Sequence, residues 1–90
     1  MRKTIHRSEY QVLIELLREQ REAVGATQTE LSMALGSSQP FVSQVERGQR
    51  RLDVIELRDI CLHLKVDFLK FIAELERRLR GSASARKPRR

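Results

Sequence analysis

Residues 27–48 read TQTELSMALGSSQPFVSQVERG, and two short helical patterns meet in this stretch. Thr27 and Glu30 have the T-x-x-E spacing of a capping box, which predicts that a helix begins at this point. Apolar residues then recur at helical spacing as far as Gly36, the residue type that commonly follows the end of a helix. The stretch therefore opens with a predicted short helix that ends in a tight turn.

A second short helix is predicted to follow the turn. Ser38 is a suitable N-cap, and Pro40 suits the first helical turn, where a missing backbone N–H costs no hydrogen bond. At about 100° of rotation per residue, Val42 and Val45 point inward. Four residues fall on the opposite face, where they have no core to pack against: Pro40, Ser43, Gln44 and Arg47. The second helix is thus predicted to present a polar outer face.

Two helices of about eight residues joined by a short turn that contains glycine form the helix-turn-helix pattern. This stretch resembles the Xre/Cro-type family of DNA-binding domains, also called lambda-repressor-like. With the helices on either side, the resemblance extends over residues 10–75. The residues that carry it lie in register without gaps: Gln28, Leu31, Leu35, Gly36, Ser38, Gln39, Val42, Ser43, Glu46, Gly48, Arg51 and Leu52. The resemblance implies an all-α, compact five-helix domain with the helix-turn-helix at its second and third helices.

The length and composition of the chain limit the classes of protein that fit it. Ninety residues are enough for one small domain with a modest core. The single cysteine, Cys61, excludes an internal disulfide and suits a reducing compartment. No apolar run approaches the roughly 20 residues of a membrane span, and no catalytic or metal-binding motif is present. The sequence therefore predicts a cytoplasmic protein that is not an enzyme and has no metal, cofactor, small-molecule ligand or membrane partner.

The net charge of +6 is unevenly distributed along the chain. Residues 1–7 carry three basic and no acidic side chains, and residues 77–90 carry seven basic and no acidic side chains. Residues 8–76 hold eight basic against twelve acidic side chains, a net charge of −4. Net charge by itself therefore does not establish that the middle of the chain binds DNA.

The composition divides the chain into three parts. Residues 1–7 are predicted to be a flexible basic arm, which is either a solvated terminus or an arm that lies along DNA phosphates. Residues 8–80 are predicted to form the helix-turn-helix domain with its C-terminal helix. Residues 81–90, GSASARKPRR, are small, polar and basic, and are predicted to be disordered.

One charged residue is predicted to be buried in the first helix. Arg21 lies at the centre of the apolar stripe of that helix, so its guanidinium must find an anion in the core. Glu46 is the candidate, because helical rotation places it within about 40° of Val42 on the inward side of the second motif helix. We therefore predict a salt bridge between Arg21 and Glu46, and the family resemblance points to the same pair.

Base recognition is predicted for the start and the outer face of the second motif helix. In a helix-turn-helix this helix lies in the major groove, with its N-terminal residues at the base edges. The amides of Gln39 and Gln44 can donate and accept together, which matches N6 and N7 of adenine. Ser43 suits several bases, and Pro40 contacts either a thymine methyl group or nothing.

Contacts with the DNA backbone are predicted on either side of that helix. Gln28, with Thr29 beside it, opens the first motif helix and is predicted to bind a phosphate through its amide and the positive end of the helix. Arg47 can reach a guanine or a phosphate. Arg50 and Arg51, on the loop that follows, are predicted to hold the DNA backbone. The predicted partner is double-stranded DNA.

The last predicted helix carries a candidate dimer interface. Its apolar residues recur at helical spacing and continue beyond the length that a five-helix domain needs. Phe71, Leu75 and Leu79 are predicted to form a two-fold contact between two copies of the chain. The alternative is a helix whose end simply lies in solvent.

These features together predict a function in transcription. A single module of this size contacts few base pairs, so we expect a homodimer on a palindromic operator with half-sites about 34 Å apart. Because occupying a promoter is enough to repress it, the predicted function is that of a sequence-specific transcriptional repressor. An antitoxin or a restriction-modification controller of the same fold is one alternative. A protein-interaction module that does not bind DNA is another. The polar face of Gln39, Ser43 and Gln44 argues against it, whereas the acidic middle of the chain and Pro40 are compatible with it.

Overall fold

The computed structural model of the protein describes residues 8–37 and 40–85, with side chains as far as residue 81. Within these residues the chain forms no strand and five helices: α1 Ser8–Ala23, α2 Gln28–Ala34, α3 Phe41–Glu46, α4 Val54–Leu64 and α5 Phe68–Ala85. The all-α, five-helix fold that the sequence predicts is confirmed. In the described part of the chain, no helix has the length and apolar character needed to cross a membrane.

The capping box that opens α2 is present. The Thr27 hydroxyl accepts a hydrogen bond from the Glu30 amide at 3.0 Å, and the Glu30 carboxylate accepts one from the Thr27 amide at 2.9 Å. α2 is followed by Gly36, whose φ of +69° is readily adopted only by glycine. Both ends of α2 are therefore set by contacts within the motif, as the sequence predicts.

The start of α3 differs from the prediction. α3 begins at Phe41, and Pro40 occupies the N-cap position rather than the first helical turn. Ser38, the predicted cap, and Gln39 lie outside the described residues. The Pro40 carbonyl accepts the first helical hydrogen bond, from the Gln44 amide at 2.9 Å. The N–H of an N-cap residue makes no helical hydrogen bond, so a proline at this position costs the helix none.

A buried serine of α2 satisfies an amide in the first turn of α3. Pro40, at the N-cap position, has no side-chain group that could cap the helix. The hydroxyl of Ser32 instead accepts a hydrogen bond from the Val42 amide at 3.0 Å. Ser32 is completely buried, so this bond joins the two motif helices through their interior.

All five helices contribute side chains to one core. Its buried apolar members are Ile14, Leu16, Leu17, Leu31, Phe41, Val42, Val45, Leu57, Ile60, Cys61, Leu64 and Phe71. Burial raises the pKa of the Cys61 thiol to about 11. The thiol is therefore neutral at physiological pH, and Cys61 packs as a small apolar residue.

Ion pairs attach the second half of α5 to α1. The Arg78 guanidinium donates to the Glu19 carboxylate at 2.8 and 3.1 Å, and its Nε donates to Glu74 at 2.7 Å. Hydrogen bonds from Arg77 and Arg78 lower the pKa of the Glu74 carboxyl to about 2. This contact between α1 and α5 is therefore fully ionised at neutral pH.

α5 extends further than the sequence predicts. It continues through residues 81–85, which belong to the segment predicted to be disordered, so that boundary is corrected. Gly81 begins that segment, but a glycine inside a helix costs only about 1 kcal/mol relative to alanine. The rest of that segment, residues 86–90, and the predicted arm, residues 1–7, lie outside the described residues.

Candidate nucleic-acid interface

The inward side of α3 is buried in the core. Phe41, Val42 and Val45 are at most 7% exposed, and they pack with residues of the other helices. A helix of six residues has little stability of its own. Its orientation is therefore set by this apolar anchor and by the polar contacts at its two ends.

The outward side of α3 carries the polar residues that the sequence places there. Pro40 and Arg47 are exposed, and Ser43 and Gln44 are half-buried. The Ser43 hydroxyl donates to the Pro40 carbonyl at 3.1 Å, which leaves the oxygen of that hydroxyl able to accept from a ligand. The face therefore offers amide, hydroxyl and guanidinium groups side by side.

The predicted ion pair between α1 and α3 is present and bidentate. Arg21 donates to the Glu46 carboxylate from Nε at 2.6 Å and from Nη2 at 2.9 Å. The two side chains are only 10% and 3% exposed. Hydrogen bonding to Glu46 raises the pKa of Arg21, and Arg21 Nη1 also donates to the Ala26 carbonyl at 2.8 Å. The last residue of α3 is thus fixed to α1 and to the start of the motif.

The same carboxylate binds a residue predicted to contact DNA. The Gln28 amide, at the first position of α2, donates to Glu46 Oε1 at 2.8 Å. Arg18 approaches this oxygen to 3.9 Å from a half-exposed position on α1. The sequence analysis did not identify Arg18, although it lies one helical turn before Arg21 on the same face. Glu46 therefore gathers side chains from α1 and α2 beside α3.

Two predicted basic residues of the loop between α3 and α4, Arg50 and Arg51, have different surroundings. Arg51 is exposed. The guanidinium of Arg50 instead lies over the ring of Phe41, 4.6 Å from its centroid, and pairs with Glu56 at 3.0 Å. In the predicted basic cluster after α3, Arg47 and Arg51 are therefore exposed, whereas the Arg50 guanidinium contacts Phe41 and Glu56.

Local hydrogen bonds shape this loop. Gly48 follows α3 with a φ of +74°. The Leu52 amide donates to the Tyr10 hydroxyl at 2.9 Å, which attaches the loop to α1. Asp53 and Glu56 form a reciprocal capping box at the start of α4, with bonds of 2.8 and 3.0 Å. The end of the loop next to α4 is therefore held both by α1 and by the cap of α4.

Thr29 and Gln39 are the remaining two residues that are predicted to bind DNA. Thr29 is exposed in the first turn of α2, beside Gln28. Gln39, the predicted adenine-binding residue before α3, lies outside the described residues. Gln28 and Thr29 therefore lie in the first turn of α2, the first helix of the motif, and the polar outer face belongs to α3, the second.

The predicted dimer interface needs one correction. Phe71 is only 3% exposed and belongs to the core of its own chain, so it has no surface to offer a second copy. Leu75 packs partly against that core, and Leu79 is half-buried further along α5. The helical repeat placed Phe71 on the apolar side of α5 correctly, but that side faces the rest of the domain.

Across residues 8–37 and 40–85, no three His, Cys, Asp or Glu side chains gather into a group that could hold a metal ion.

Comparison with known proteins shows what this chain is similar to. Residues 17–71 match a family model described as helix-turn-helix. A solved structure of an XRE-family like protein from Pseudomonas syringae pv. tomato str. DC3000 is 48% identical to the chain, with a TM-score of 0.75. The match covers 81% of this chain and 89% of that chain. No curated protein matches the chain significantly.

Proposed function

The chain belongs to the Xre family of helix-turn-helix proteins and is a DNA-binding transcription regulator; we propose that it is a repressor that binds a palindromic operator as a homodimer. The observation that carries the proposal is the construction of α3. Its inner face is buried, its last residue is held by the Arg21 ion pair, and its outer face is polar. A helix held in this way can enter a groove without changing its orientation.

Direct contacts with bases are assigned to α3 and the residues before it. A major groove admits an α-helix, and an amide that donates and accepts together matches adenine. We assign this role to Gln44 and to Gln39. Ser43 and Pro40 are next to them in the sequence and would contact a neighbouring base or a thymine methyl group.

Contacts with phosphates are assigned to residues around α3. Thr29, Arg47 and Arg51 are exposed and carry groups that donate to phosphate oxygens. Gln28 is assigned a phosphate contact through its amide, which Glu46 already holds in one orientation at the start of α2. These contacts would position α3 and are not expected to distinguish one sequence from another.

The homodimer follows from the small size of the recognition surface. Two copies related by a two-fold axis would place their α3 helices on half-sites about 34 Å apart. We assign the contact between copies to the second half of α5, at Leu79 with Leu75. Repression needs only occupancy of the promoter, and we place this activity in the cytoplasm.

Selection of bound duplexes from a random pool tests this function. The selected duplex is then titrated against a scrambled one at two salt concentrations. We expect a palindromic sequence, preferred by about a thousandfold or more. The double variant Gln39→Ala, Gln44→Ala should abolish this preference, whereas Gln20→Ala, which removes an amide from α1, should preserve it.

Three outcomes would contradict the proposal in whole or in part. Equal and steeply salt-dependent binding to all duplexes would mean that the basic ends of the chain hold DNA without reading it. Absence of any binding would favour a module that contacts other proteins. An operator without two-fold symmetry would overturn the homodimer while leaving sequence-specific binding intact.

A further inference from the structure

Arg50, in the loop that joins α3 to α4, forms a cluster with Phe41 of α3 and Glu56 of α4 that DNA binding does not explain. The guanidinium carbon of Arg50 lies 4.6 Å from the centroid of the Phe41 ring. Phe41 is the first residue of α3 and is 7% exposed, so its ring is anchored in the core. Arg50 therefore covers the start of the helix that is assigned to the major groove.

The edge of the same guanidinium faces α4. Arg50 Nη2 donates to Glu56 Oε2 at 3.0 Å, and Nη1 donates to Glu56 Oε1 at 3.3 Å and to the Arg51 carbonyl at 2.9 Å. Glu56 also accepts from the Asp53 amide, so its carboxylate is held by the first turn of α4. One planar group thus contacts α3, the loop and α4 together.

The charge of Arg50 is already compensated within the chain. The Arg50 guanidinium lowers the pKa of the Glu56 carboxyl, and Glu56 raises the pKa of Arg50, so both groups are ionised at neutral pH. The salt dependence of DNA binding comes from counterions that are released when lysine and arginine side chains neutralise phosphates. A guanidinium paired with a carboxylate contributes little to that release.

We propose that Arg50 is a positioning residue that clamps the start of α3 to the start of α4, and that it does not contact a DNA phosphate. The clamp consists of Arg50, Phe41 and Glu56. It would hold the loop so that Arg51, next in the chain and exposed, meets the phosphate instead. The inference rests on the proposed DNA binding for its effect on affinity, but the clamp itself exists without DNA.

Four variants separate a clamp from a phosphate contact: Arg50→Ala, Arg50→Lys, Arg51→Ala and Arg51→Lys. Binding to the selected duplex and to a scrambled duplex is measured over a series of salt concentrations. Lysine keeps the charge but cannot form a bidentate pair or stack in the same way. We expect Arg50→Ala and Arg50→Lys to weaken binding alike, by about tenfold or less, with the salt slope unchanged. Arg51→Ala should reduce the slope by about 0.9, and Arg51→Lys should restore it.

A second measurement needs no DNA. NMR titration of the Glu56 carboxyl should show a pKa below the ordinary value in the wild type and in Arg51→Ala. The same pKa should rise towards the ordinary value in Arg50→Ala, because the largest cause of its depression is gone.

The two measurements have distinct failures. If Arg50→Ala reduces the salt slope as Arg51→Ala does, and Arg50→Lys restores it, Arg50 contacts a phosphate and the proposal is wrong. An unchanged Glu56 pKa in Arg50→Ala would show that the pair does not form in solution, which also overturns it. If the wild type binds all duplexes equally, the proposed operator binding fails, and the Glu56 titration still decides whether the clamp exists.

Discussion

Glu46, the last residue of α3, connects this helix to side chains of α1 and α2. Its carboxylate is 3% exposed and accepts hydrogen bonds from Arg21 and Gln28. A carboxylate removed from water is costly unless a cation and further donors compensate it. Arg21 supplies the charge and Gln28 an additional hydrogen bond. The position of a proposed phosphate contact and the orientation of α3 therefore depend on the same two oxygens.

At this scale we predict that Arg21→Ala lowers the free energy of unfolding by about 3 to 5 kcal/mol, because the buried Glu46 then loses its bidentate partner and keeps only the half-exposed Arg18 at 3.9 Å. Urea denaturation measures the change. Gln28→Ala serves as the matched control and should cost about 1 kcal/mol, since it removes one hydrogen bond and leaves the charge compensated. An Arg21→Ala protein as stable as the wild type would show that the pair contributes nothing to folding.

The stability of α2 and α3 comes from their contacts with each other more than from the helix propensities of their own residues. α2 has seven residues and α3 has six, lengths at which isolated helices do not persist in water. The hydrogen bond from the Val42 amide to the Ser32 hydroxyl crosses between them in the interior. The two helices are thus expected to move as one unit.

Replacing Ser32 by alanine tests this connection between elements. The substitution would leave the buried Val42 amide without its partner and should lower the free energy of unfolding by about 1 to 3 kcal/mol. Ser43→Ala is the control, because its hydroxyl bonds to a carbonyl at the exposed start of α3. Thermal or urea unfolding gives both values, and equal small effects in the two variants would refute the special role of Ser32.

Over the whole molecule, the middle of the sequence is acidic and both of its ends are basic. Residues 8–76 carry a net charge of −4 within a chain of +6. Attraction to DNA at long range therefore depends on the ends, whereas recognition depends on the local groups of the motif. Pairing of two domains would add to both, because it doubles the number of contacts made at once.

The dimer proposal is tested by Leu79→Glu. We expect sedimentation to show a dimer for the wild type and a monomer for this variant, with affinity for a palindromic duplex reduced by about a hundredfold or more. Ala73→Glu adds the same charge at an exposed position of α5 and should remain dimeric. A monomeric wild type, or a Leu79→Glu variant that still dimerises, would exclude this part of α5 as the interface.

Several features of the fold could be predicted because their causes are local. The capping box of Thr27 and Glu30 and the turn at Gly36 depend on residues within four positions of each other. The pairing of Arg21 with Glu46 could also be predicted, for a related reason. Each residue interrupts the inward face of its own helix, and two opposite charges in one small core must meet.

Other features were decided only by the tertiary structure. The amide of Gln28 binds Glu46, Arg50 stacks on Phe41, and Phe71 faces the core rather than a second copy. Helical periodicity defines which residues share a face, and together with the family resemblance of residues 10–75 it predicts five helices and the helix-turn-helix motif. It does not define how far each helix is rotated and displaced against its neighbours. That placement results from packing all the apolar side chains at once, and it selects which exposed polar groups are within hydrogen-bonding distance.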